Sequence, residues 1–214
     1  MRAVLILLLA LACTIGAGCE ERYEQRRLDR IVRQAQANRA TGAADIERAA
    51  RAGDFTWSSF VDRAFDELEA AAADPARVPG ALAFAGAVLD AGLTLERTVA
   101  PQQGAGALAS EHPLGGLGPE FEIKWLRVGR LAYTAAEQAQ LAGRLADARS
   151  LILAGPARWQ NEHYWRRYPD HDALAAIILA QSGERAQAIQ RLRSRPDLAP
   201  PADEVLDQLL RSGG

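Results

Sequence analysis

Two cysteines, Cys13 and Cys19, are all that this chain has, so it cannot carry the disulfide framework that staples small secreted domains. Strand signals are missing too: no stretch alternates β-branched or aromatic residues with polar ones, which argues against a sheet. There is no basic excess, with 25 basic against 27 acidic residues, and this weighs against a nucleic-acid partner. Lysine is nearly absent: Lys124 is the only one, and arginine carries the remaining positive charge. Arginine suits bidentate carboxylate and phosphate contacts, although the Ala-, Arg- and Gly-rich style also fits a GC-rich genome. No Gly-Lys-Ser/Thr phosphate loop and no Gly-x-Ser-x-Gly nucleophile elbow occurs.

What is present begins at the amino terminus. Met1-Arg2 is a short positive start, Ala3 to Ile15 is apolar, and Gly16-Ala17-Gly18 stands directly before Cys19. The apolar run is 13 residues, short of the roughly 20 that cross a bilayer as a helix. This is the layout of a secretory signal with a small-residue cleavage site. With the cysteine at the cut, it resembles a bacterial lipoprotein signal. The resemblance implies that residues 1–18 are removed and that the Cys19 thiol is lipidated as the new N-terminus. Cys13, behind Ala10-Leu11-Ala12, is the alternative cleavage cysteine, and an uncleaved signal anchor is another reading. Lipidation would also remove an unpaired thiol from an oxidising compartment. Glu20 is not the aspartate that the lipoprotein family associates with inner-membrane retention. Attachment to the outer membrane, facing the periplasm, is therefore the expectation.

Residues 19–42 read as a polar tether helix and linker. Tyr23, Arg27, Ile31 and Val32 are sparse points amid Glu, Gln and Arg, and Ala40-Thr41-Gly42 ends the helix. Residues 43–214 read as a helical-repeat domain. Apolar helical stretches end four times in a small residue plus glycine: Ala52-Gly53, Ala91-Gly92, Ala142-Gly143 and Ser182-Gly183. Glycine tolerates the left-handed backbone just past a helix end, so each break predicts a helix C-terminus. The breaks are 39, 51 and 40 residues apart, the range of helix-hairpin repeats. After Gly53, the residues Trp57, Phe60, Val61, Ala64, Phe65 and Leu68 form one apolar stripe. Leu145, Ala148, Leu151 and Ile152 do so after Gly143, and Ala186, Ile189 and Leu192, with Ala188 beside them, after Gly183. After Gly92 only a short helix is expected before Pro101. The last two units, through Gly143, Ala148 and Ile152 and through Gly183, Ala188, Leu192 and Pro200, resemble tetratricopeptide repeats. That resemblance implies an all-α solenoid of helix hairpins whose concave face binds peptides or partner proteins and carries no catalytic residue. Beyond Pro200-Pro201, Asp203-Glu204 and the stripe Val205, Leu206, Leu209, Leu210 predict a cap helix over 202–210.

Two segments hold candidate chemistry. Residues 101–119 are rich in glycine and proline and read as an inter-repeat loop. Within them Gly104-Ala105-Gly106-Ala107-Leu108-Ala109 has the form of a dinucleotide fingerprint, but no strand precedes it. Residues 158–172 gather aromatics, histidines and arginines. Trp159, Glu162, His163, Trp165, Arg166, Arg167 and His171 can form a ligand patch, since aromatic faces stack on sugars and arginines fork onto anions. They can equally form a buried wedge between repeats. Glu162, His163, Asp170, His171 and Asp172 lack the one-face spacing of a metal helix, and Glu162 lacks the second carboxylate that a glycosidase needs. No metal, cofactor or catalytic residue is expected. The reading is a scaffold for envelope proteins or peptides, attached to the membrane by its lipid, with no nucleic-acid partner. A glycan- or anion-binding protein, possibly hydrolytic, acting through 158–172 is the alternative.

Overall fold

The computed structural model describes residues 22–99, 119–154, 169–195 and 198–212, with side chains for 22–95, 127–154, 170–195 and 198–212. Among the described residues all regular structure is helical. In order these are α1 (22–37), α2 (Arg39–Arg51), α3 (Trp57–Ala73), a 3₁₀ turn (Pro75–Arg77), α4 (Val78–Val99), α5 (Pro119–Leu141), α6 (Leu145–Ile152), α7 (Pro169–Gln181), α8 (Arg185–Arg193) and α9 (Ala202–Arg211).

Three of the four expected glycine breaks are helix ends. Gly53, Gly143 and Gly183 have φ of 74°, 70° and 84°. At each, the following N–H bonds to the carbonyl five residues back: Asp54 to Ala49 at 3.1 Å, Arg144 to Ala139 at 2.8 Å and Glu184 to Leu179 at 2.8 Å. This satisfies carbonyls that the helix end would leave bare. Asn38 and Thr56 start α2 and α3, accepting from the N–H groups of Thr41 (3.0 Å) and Ser59 (3.3 Å).

Gly92 departs from the expectation, because α4 runs through it without interruption. It is a glycine because of what lies opposite. A Cβ there would sit 2.5 Å from Cζ2 of Trp57. The indole is 2% exposed, and its Nε1 donates to the Val88 carbonyl at 3.0 Å. Close approach by a buried tryptophan offsets the roughly 1 kcal/mol that glycine costs inside a helix.

The tether expectation is also corrected. Ile31, Val32 and Ala35 of α1 are buried, with Leu28 packed beside them, so 22–37 belongs to the body. These residues stand at i, i+3, i+4 and i+7, a full stripe hidden within polar composition. The helix ends at Asn38, and Ala40-Thr41-Gly42 lies inside α2, where Gly42 is buried against Ala35. On α8 the buried positions are Ala188 and Leu192, while Ala186 faces solvent.

Helices α3 and α4, α5 and α6, and α7 and α8 pack as neighbours in the chain; α2 lies on α4, α6 meets α7, and α9 rests on α7 and α8. Polar bonds join alternate helices. Between α1 and α3 they are Gln36 to Glu67 (3.0 Å) and Arg63 to Asp29 (3.5 Å). Arg127 pairs with Asp62 and Gln138 donates to the Leu68 carbonyl (2.8 Å) between α5 and α3, while Gln140 bonds Gln181 (2.9 Å) between α5 and α7. In the other set, Arg39 of α2 forks onto Asp90 of α4 at 2.6 and 2.8 Å and reaches Ser150 of α6 at 2.9 Å. Leu174, Ala175 and Ile178 of α7 join the main core, whereas Ala173, Ala176 and Leu179 join a smaller cluster with α8 and α9. The stretch 75–95 is long and apolar enough to cross a membrane, but 61% of it is buried against other helices, as in a core helix.

Gly92→Ala should lower unfolding free energy in urea by about 1–3 kcal/mol through overpacking against Trp57. Gly183→Ala should lower it by about 1–2 kcal/mol for a different reason, a left-handed backbone forced on an L side chain. Unchanged midpoints in both variants would contradict these roles.

Candidate functional site

A cleft of about 460 Å³ opens between α1, α3 and the start of α4. Helix α1 supplies Asp29, Val32, Arg33 and Gln36, spaced three and four apart and therefore on one face. Arg63 and Glu67 come from consecutive turns of α3, and Arg77 from the 3₁₀ turn. Asp74 positions that turn by accepting from the Ala76 N–H at 3.1 Å.

The floor of the cleft is Glu67, 5% exposed. A buried carboxylate must be well supplied with donors, and this one is. It accepts from Gln36 Nε2 at 3.0 Å and Arg77 at 2.9 Å, and pairs with Arg63 at 3.1 Å. Arg63 also lies 3.5 Å from Asp29, and its buried Nε has no hydrogen-bond partner. Arg33 makes no ion pair among the described residues. Three arginines thus face two carboxylates, a lining with one excess positive charge. The cleft lining has no histidine, cysteine or hydroxyl group; its ionisable groups are the carboxylates of Asp29 and Glu67 and the guanidinium groups of Arg33, Arg63 and Arg77.

Of the residues singled out in the sequence, Cys19, Trp159, Glu162, His163, Trp165, Arg166 and Arg167 lie outside the described residues, as does most of 101–119. His171 is described, and it does not belong to an exposed patch. It is 4% exposed in the first turn of α7, with its ring 6.3 Å from that of Tyr133. Burial, helped by the charges of Arg191 and Arg195, pushes its pKa down to about 3. Its neighbour Asp172 is also buried and pairs with Arg191 at 3.0 Å and Arg195 at 2.8 Å, fastening α7 to the end of α8. Burial raises the Asp172 pKa against the pull of both arginines. Among the described residues no three His, Cys, Asp or Glu side chains converge as metal ligands would.

The cleft itself was missed by sequence reasoning. One signal was available: Glu67 stands three residues after Ala64 and seven after Phe60, on the buried stripe of α3. A carboxylate at a core position requires cationic or hydrogen-bonding partners. No protein-family model, curated protein or solved structure matches the chain.

A pH dependence follows from His171. The folded protein keeps it neutral down to about pH 3, whereas the unfolded chain takes up the proton near the ordinary value of 6.5. Between those values the unfolded state holds more protons, so this contribution is complete above about pH 6.5 and is lost as pH falls toward 3. Asp172, with its raised pKa, acts in the opposite sense and offsets part of the loss. His171→Gln should flatten the stability profile between pH 4 and 6.5, where a single such group contributes a slope of up to about 1.4 kcal/mol per pH unit. Urea midpoints with the same pH dependence in variant and parent would contradict the burial of a neutral His171.

Proposed function

We propose that this chain is an interaction module of the bacterial envelope, anchored by lipid at Cys19 to the outer membrane and facing the periplasm. In this reading its helix pairs stack as tetratricopeptide-like repeats, and the α1–α3–α4 cleft holds an acidic segment of a partner protein. The observation that carries it is the cleft itself: Arg33, Arg63 and Arg77 converge over a carboxylate already saturated from within. The bonds between alternate helices, α1 to α3 to α5 to α7 and α2 to α4 to α6, are those expected of stacked pairs. An acidic side chain or terminal carboxylate matches the fork geometry of arginine. The glycan alternative draws no support from His171, which is buried.

The anchor has its own test. Cys19→Ser should move the protein out of the membrane fraction or stall its processing, and an intact mass showing an unlipidated start at another residue would end this part of the proposal. For the cleft, a photo-crosslinking side chain placed at Ala76 should trap a partner in intact cells. Arg33→Glu, which breaks no ion pair among the described residues, should cut that adduct about tenfold, in line with a charge-assisted bond worth roughly 1.5–3 kcal/mol. Trapping that is indifferent to Arg33→Glu would contradict an acid-binding cleft.

A further inference from the structure

On α1, Arg22, Arg26, Arg30 and Arg33 recur at intervals of four, four and three, so they run along one line of the helix. All four are exposed, and none has an ion-pair partner among the described residues. The line lies opposite the buried Ile31, Val32 and Ala35. Among the described acids of this helix, Asp29 borders the row, three residues after Arg26 and four before Arg33, but is engaged elsewhere. Asp29 turns to Arg63 and to the amide of Gln25 (3.1 Å), and Glu24 projects from the other side. Arg27, off the line, pairs with Asp54 and covers the Phe55 ring at 5.9 Å. Like charges three and four apart repel along a helix, so a row of four arginines bordered by one acid that is already engaged with Arg63 is unfavourable in isolation and is relieved by an external anionic surface. Tyr23, 64% exposed, stands beside the row. An amphipathic ring of this kind settles at the boundary of headgroups and water. Only Glu20 and Glu21 stand between Cys19 and Arg22.

We infer that the exposed face of α1 lies on anionic phospholipid headgroups, with Arg22, Arg26 and Arg30 as the contact and Arg33 at the corner where this face turns into the cleft. The inference rests on the lipid-anchor reading for its geometry, since an anchor at Cys19 delivers α1 to the bilayer surface. Its consequence is orientation: the body is held at a fixed attitude to the membrane, with the cleft mouth at the rim of the contact.

The full chain carrying Ala37→Cys, an exposed position on the same face, is labelled with an environment-sensitive dye. It is reconstituted with vesicles of phosphatidylcholine alone or with a minority of phosphatidylglycerol. Flotation with phosphatidylcholine vesicles reads the anchor; protection of the dye from a soluble quencher reads the docked face. Protection is expected on the anionic vesicles alone, and should vanish in about 1 M salt, where charges are screened beyond roughly 3 Å. The triple variant Arg22→Gln, Arg26→Gln, Arg30→Gln should lower the ratio of protected to exposed dye roughly 100-fold with flotation and helicity unchanged. Equal protection on both vesicle types, or a triple variant that behaves as the parent, would overturn the inference. So would protection by soluble polyglutamate in the absence of lipid, which would assign the face to an acidic protein surface. A chain that fails to float on phosphatidylcholine yet is protected on anionic vesicles would remove the anchor reading and leave this one standing.

Discussion

The fold depends on how closely other helices can approach α4. Two glycines on that helix mark the approaches. Trp57 of α3 occupies the space a side chain at Gly92 would need, and the Arg39 guanidinium of α2 lies where a Cβ on Gly86 would be, 2.6 Å from Arg39 Nε. Both visitors then use α4 as a hydrogen-bonding partner, Trp57 through the Val88 carbonyl and Arg39 through Asp90. The first contact is apolar and buried; the second is a charged fork at the edge that continues to Ser150 on α6. One helix with small residues on two sides therefore accepts α2, α3 and α5 together. The packing around it leaves α1 and α3 close enough to share Glu67 and its cleft.

Local signals in the chain disclosed the elements that obey local rules. The stripe from Trp57 to Leu68, the glycine turns at 53, 143 and 183, and the cap helix at the C-terminus follow from helical periodicity and left-handed backbone. What escaped was decided by partners distant in sequence. Gly92 looks like Gly143 locally, and only the indole of Trp57, 35 positions earlier, makes it a packing glycine. Helix α1 looks like a spacer because four stripe residues are diluted by charge. His171 looked like a ligand among aromatics, but it opens a helix buried on every side, where its polar ring serves the core. The cleft escaped because its charges come from three separate elements.

Charge placement divides the surface of the first two helix pairs into distinct parts. Glu67 engages Arg63, Arg77 and Gln36 inside the cleft, which leaves Arg33 as the lining arginine with no ion pair among the described residues. Around the corner Arg22, Arg26, Arg30 and Arg33 form a row with no ion-pair partner among the described residues. Elsewhere arginines are held by acids, as Arg27 is by Asp54, Arg39 by Asp90 and Arg149 by Glu184. Net charge says little about such a molecule; its faces differ through the distribution of charge.

The helices are organised around α4, and burial thins toward the C-terminal end, where α9 buries only Ala202 fully. Native-state hydrogen exchange tests this directly, because it measures the opening free energy of each amide. The amides of residues 88–92 should exchange only through global unfolding, with the same denaturant dependence as the whole protein. Those of α9 should exchange through local openings of lower free energy. Amides in α4 that exchange as readily as those of α9 would contradict a structure built on the Trp57 and Arg39 contacts.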